Sequence, residues 1–155
     1  MKTELFRTMQ TIRKKDGTFD WSGFTTPENR KAIASLSRGE LLTFKNEMEK
    51  IDLGMPHSFV REAYAQNPNE DAEFLWEALM DEDMNVPLFV VQNPHCPEKL
   101  LEAVANGDKE VLPSEVPLDY IREHFPEIIR EAVRHRAALE SGNVYFPAYT
   151  EPIYA

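Results

Sequence analysis

The stretch from Val60 to Asn106 says one thing twice, and this constrains the fold more than any other feature of the chain. The first copy runs Val60-Arg61-Glu62-Ala63-Tyr64-Ala65-Gln66-Asn67-Pro68, followed by Glu73-Phe74-Leu75-Trp76-Glu77-Ala78. The second runs Val86-Pro87-Leu88-Phe89-Val90-Val91-Gln92-Asn93-Pro94, followed by Glu98-Lys99-Leu100-Leu101-Glu102-Ala103. The Gln-Asn-Pro triplets lie 26 positions apart, from 66 to 92, and the Glu-x-Leu-x-Glu-Ala cores lie 25 apart, from 73 to 98. A period in the twenties marks stacked units, each of which needs a neighbour to cover its apolar face. The residue before a proline resists the α conformation, so Asn67 and Asn93 each end a helix and turn the chain. The Leu75/Leu79 and Leu100/Val104 faces then stack into one core.

The flanks read as helical caps on this centre. Leu5, Phe6, Met9 and Ile12 give helical spacing over Thr3–Lys14, and Lys14-Lys15-Asp16-Gly17 reads as a turn. Phe19, Trp21 and Phe24 form an irregular aromatic segment that covers the core. Thr25 to Glu28 fits a capping box with Pro27 in the first turn, and Ser37 to Glu40 fits a second, opening a helix that Gly54 closes. Asn69 caps a helix from Glu70 to Met80, Val86–Gln92 reads as a short helical turn, with 3₁₀ geometry one option, and Pro97–Asn106 is a helix stopped by Gly107. Pro126 opens the last helix, which stops near Gly142. The expected organisation is all-α: a single helical domain over 1–142, with an N-terminal cap at 1–54, a repeat centre at 55–108 and a C-terminal cap at 109–142. Residues 143–155 form an extended aromatic tail.

At Val60, Arg61, Ala65, Asn67, Pro68, Leu75, Leu79 and Asp81, and again at Val86, Val90, Asn93, Pro94, Pro97, Leu100, Leu101, Val104 and Asp108, the chain resembles the leucine-rich repeat variant family of bacterial helical repeats. Asp71 stands where the first copy would have a second proline, and Pro87-Leu88 stand near the second copy's arginine. The match covers about residues 60–108. The resemblance implies short and longer helices alternating in a curved, HEAT-like array, and no shared reaction. The iron–sulfur module attached to one family member needs a cysteine cluster, and this chain has one cysteine.

Charge narrows the partners. With 27 acidic and 17 basic side chains the net charge is −10, which opposes direct binding to nucleic-acid phosphates and to anionic membranes. No apolar run approaches the ~20 residues of a membrane span, and a lone cysteine fits a reducing cytoplasm. No cofactor and no metal site is expected. His95-Cys96 lacks zinc-ligand spacing, and neighbouring side chains on a turn diverge too far to work as a nucleophile–base pair. The carboxylate pairs Glu70/Asp71, Glu98/Glu102 and Glu127/Glu131 read first as the wet faces of amphipathic helices. Phosphate-loop, dinucleotide and nucleophile-elbow motifs are absent from the sequence.

Two features stand above this background. Asp71 and Asp81-Glu82-Asp83 fall, with Asn69-Glu70, on links between helices, where a repeat stack would align them as an acidic ridge. Tyr145, Phe146, Tyr149 and Tyr154 make the tail too aromatic for an ordinary solvated end, so it either packs back on the last helices or docks on another chain. The expected function is a non-enzymatic protein-binding module, an adaptor or inhibitor that meets a basic protein through these residues. The alternatives are an acidic nucleic-acid mimic of phage or mobile-element origin that inhibits a nucleic-acid-handling enzyme, an enzyme using clustered carboxylates, and a homo-oligomer joined through the tail.

Overall fold

The computed structural model describes residue 5, which is helical, and residues 19–51 and 56–154, which hold nine helices. Leu5, the one described residue of the expected helix at Thr3–Lys14, is helical and buried; the rest of that helix, the turn after it and the Gly54 stop lie outside the described residues. The chain divides into two compact units, residues 1–70 and 71–155.

The first unit holds α1 (Trp21–Phe24), α2 (Pro27–Ala34), α3 (Arg38–Ile51) and α4 (Ser58–Gln66). Asp20 caps α1 by accepting the Gly23 N–H at 3.3 Å. The α2 cap is Thr26, not Thr25: the Thr26 hydroxyl accepts from Asn29 N at 3.2 Å, with Pro27 at the first helical position. Thr25 is already engaged, its N–H bonding the Trp21 carbonyl that ends α1. The Ser37–Glu40 capping box forms in both directions, at 3.1 Å and 3.4 Å. Leu41, Phe44 and Met48 give α3 its buried stripe. Phe19, Trp21, Phe24 and Phe59 pack edge to face with ring centroids 4.9 to 6.0 Å apart, a geometry aromatic quadrupoles favour. Helix α4 packs on α2, and Arg30 pairs with the buried Glu62 at 2.9 Å while lying over the Phe59 ring.

The second unit holds α5 (Ala72–Ala78), α6 (Asn85–Gln92), α7 (Glu98–Asn106), α8 (Leu118–His124) and α9 (Pro126–Ser141). Helix α9 is its spine: α6, α7 and α8 all pack against it, and α5 packs on α6. The α9 residues Ile128, Glu131, Ala132 and His135 face inward at i, i+3, i+4 and i+7, the spacing of one helical stripe. Val86–Gln92 is not a 3₁₀ turn but part of a full α-helix, buried on every side. Pro87 falls in its first turn, where the missing N–H breaks no internal bond. Likewise α5 starts two residues later than expected, with Asp71 at the cap position, because the Asn69 amide is turned to the Leu36 carbonyl at 3.0 Å. Gly107 (φ 64°) and Gly142 (φ 71°) end α7 and α9 in the left-handed conformation that glycine adopts without strain.

Candidate functional site

The tail from Asn143 to Tyr154 carries no helix, and three buried side chains of the second unit hold its main chain. Asn85 and Gln92 stand at opposite ends of α6, seven residues apart and so on one face. Glu131 stands in the middle of α9. All three are almost fully buried, at 1%, 4% and 3% exposure. The Gln92 carboxamide grips Tyr149 at both backbone atoms, accepting from its N–H at 3.1 Å and donating to its carbonyl at 2.9 Å. Asn85 does the same further along: its oxygen accepts from Ile153 N at 2.9 Å and Tyr154 N at 3.0 Å, and its amide donates to the Tyr154 carbonyl. A carboxamide has both the donor and the acceptor needed to match a peptide unit. Glu131 accepts from Ala148 N at 3.1 Å and from the Tyr145 hydroxyl at 2.7 Å, and pairs with Arg134.

Tyr145 is seated through both its hydroxyl and its ring. Its ring stacks on His135 at 4.1 Å and 8° between planes, and His135 Nδ1 meets the Val91 carbonyl at 2.8 Å. Tyr154 meets Phe125 edge to face at 4.5 Å. On either side of Tyr145 the tail is turned outward. Val144 is 74% and Phe146 72% exposed, and Arg134 holds the Phe146 carbonyl at 3.2 Å.

The electrostatics follow from this burial. Burial alone would raise the Glu131 carboxyl, but the bonds from Tyr145, Arg134 and the Ala148 N–H, with the charge on Arg134, bring it below its ordinary value. Burial pushes His135 down, against the opposing pull of the Val91 carbonyl and Glu131. Burial, then the Glu131 hydrogen bond, pushes the Tyr145 phenol up.

The other expected site residues separate. Asp81 accepts from Asp83 N at 2.9 Å, and Asp83 accepts from Asn85 N at 3.0 Å, so both shape the turn into α6. Glu82 is exposed and Asp71 is half-buried at the α5 cap position. Glu70 is no surface acid: it is buried in the first unit and paired with Lys45 at 2.8 Å. Burial pushes the Cys96 thiol up, whereas a nucleophile needs it lowered. Among the described residues no group of three or more metal-ligating side chains comes together, and no helix is long and apolar enough to cross a membrane. A cavity of about 420 Å³ opens along the 109–117 link and the first turn of α8, lined in part by Lys109, Leu112, Pro113, Pro117, Asp119 and Tyr120. None of the residues with shifted pKa values lines it.

Sequence reasoning singled out Tyr145, Phe146, Tyr149 and Tyr154 but missed the residues that hold them. The signal was present: Asn85 and Gln92 are the only polar residues of the segment Asn85-Val-Pro-Leu-Phe-Val-Val-Gln92, and a carboxamide at each end of an apolar helix needs a partner. No protein-family model, no curated protein and no solved structure matches this chain.

Proposed function

We propose that this chain is a non-enzymatic protein-binding module, an adaptor or inhibitor, that meets its partner at the tail face of the second unit. One observation carries the reading. The tail's main chain is fixed by buried side chains while Val144 and Phe146 stand three-quarters exposed on it. Large apolar side chains held on a fixed backbone lose little entropy when another surface covers them, and aromatic anchors of this kind dominate interface energetics. The net charge of −10 favours a basic partner and faster encounter with it. At Asn67 and Asn93 the chain takes like backbone angles and each side-chain oxygen accepts the N–H two residues on, which supports the helical-repeat build that the leucine-rich repeat variant resemblance implies.

The test is paired capture from host lysate with the full chain and with the variant Val144→Ser/Phe146→Ser, each at low and high salt. Both side chains are exposed, so the fold is retained. A partner kept by the parent at high salt and lost by the variant supports the tail face. Identical partner sets for parent and variant would sink it.

A further inference from the structure

The tail occupies a site that reads peptide main chain. Asn85 and Gln92 each accept from a backbone N–H and donate to a backbone carbonyl, and Glu131 accepts a third N–H. None of these contacts depends on which residue the extended segment carries. One station does select a side chain: the Glu131 carboxylate beside the flat face of His135, which takes a phenol at 2.7 Å and 4.1 Å.

We propose that the groove between α6 and α9 is a binding site for an extended, tyrosine-bearing segment of another protein, and that the tail is its resident intramolecular occupant. The proposal deepens the protein-binding reading and rests on it, but names a different event: there the partner covers the tail, here it replaces it. Two features of the molecule support exchange. The tail contributes few buried side chains, since Val144, Phe146, Pro147, Ala148, Thr150, Glu151 and Ile153 are all exposed, so what holds it is chiefly main-chain hydrogen bonding that any extended segment supplies equally. The groove also cannot stand empty, because three buried polar side chains would lose their partners. An occupant tethered through Gly142 acts at an effective concentration on the order of millimolar, so an untethered competitor must match that figure or find the tail weakened.

The probe is a fluorescent synthetic peptide with the sequence of residues 143–155, titrated by anisotropy against three full-length proteins: the parent, Tyr145→Ala, and Tyr145→Ala/Gln92→Ala. The first substitution loosens the resident tail and leaves the groove intact; the second removes a main-chain station. We expect Tyr145→Ala to bind the probe about tenfold tighter than the parent, and Gln92→Ala to abolish that gain. A probe with its first tyrosine changed to phenylalanine should bind more weakly. The proposal is overturned if folded Tyr145→Ala takes up no probe at millimolar concentration, if Gln92→Ala leaves binding unchanged, or if light scattering shows that the chain alone doubles its mass by trading tails. Should the variants fail to fold, amide hydrogen exchange on the parent decides. The Tyr149, Ile153 and Tyr154 amides should exchange at least tenfold faster than the buried amides of α6 and α9, and equal protection would make the tail an inseparable part of the core. Because every arm uses purified components, failure here leaves the capture result standing.

Discussion

The two Gln-Asn-Pro corners are built alike and used differently. At each, the asparagine ends a helix in an extended conformation, with φ/ψ of −76°/119° at Asn67 and −64°/128° at Asn93. At each, the side-chain oxygen accepts the N–H two residues on, at 2.8 Å from Asn69 and 2.9 Å from His95. Both asparagines are buried. The difference lies in what the adjoining amides hold. In the first unit the Asn67 amide donates to the Ile33 and Leu36 carbonyls at 2.9 Å and 3.0 Å, bracing the end of α2 and the turn after it. In the second unit the Gln92 amide grips the main chain of the tail. One device, a buried carboxamide reading peptide groups, closes a helix end in one unit and seats the non-helical segment 143–154 in the other. The first partner is main chain at the end of a helix and in the turn after it; the second is a segment without helix, most of whose side chains are exposed. Stability should concentrate at the first and adaptability at the second.

The largest effect is expected where the partner is immobile. Asn67→Ala removes the partner of the Asn69 N–H and one of the two hydrogen bonds at each of the Ile33 and Leu36 carbonyls, three bonds worth about 1 kcal/mol each, and leaves a small void in their place. We expect a loss of about 3–4 kcal/mol in urea unfolding. A loss under about 1 kcal/mol would show that the corner owes its shape to the Pro68 restriction alone and not to the carboxamide.

The same contrast explains what was legible in the sequence. The corners were, because both of their determinants are local: the proline acts on the residue before it and the asparagine on the N–H two residues later. The Ser37–Glu40 box and the Gly107 and Gly142 stops were legible for the same reason. The start of α2 slipped by one residue because α1, not expected as a helix, had already engaged Thr25. The site was only half visible. The aromatic tail drew notice by its composition, but its seat joins residues 57 and 69 positions apart, and no local rule encodes such a pairing. Glu131 was read as half of a helical carboxylate pair with Glu127, an inference from spacing that burial and the Tyr145 hydroxyl overrule.

A middle-sized effect is expected at the tail clamp. Gln92→Ala removes both bonds to Tyr149 and leaves a small void under the tail, for a loss of about 2 kcal/mol. It should differ from Asn67→Ala in kind as well as size. Limited proteolysis should cut the variant within 143–154 long before it cuts the helices, whereas Asn67→Ala should weaken the first unit cooperatively. Cleavage of both variants at the same places would erase the distinction between a fixed and an exchangeable partner.

The smallest effect is the sharpest, because it has a sign in pH. Tyr145→Phe deletes one hydroxyl donor to Glu131 and should cost about 1–1.5 kcal/mol at neutral pH. Glu131 has its folded-state pKa depressed, so its contribution is present above the ordinary carboxyl value of about 4.3 and is lost as pH falls through the folded value. His135 is depressed too, by burial, so the unfolded chain takes up its proton first and stability begins to fall as pH drops past about 6.5. Acid therefore acts on the tail seat in one direction through both groups, with Arg134 the cation facing Glu131 and Tyr145. Tail release, followed by the amide signals of Tyr149 and Ile153, should begin below about pH 6.5 and steepen below about 4.3. Tyr145→Phe removes one of the bonds that lowers Glu131, so the acid step should move to higher pH and shrink, while the histidine step stays in place. A profile with no step near either value, in parent and variant alike, would mean that the tail is held by its main-chain bonds to Asn85 and Gln92 alone. Glu131 would then be a spectator to the seat that it lines.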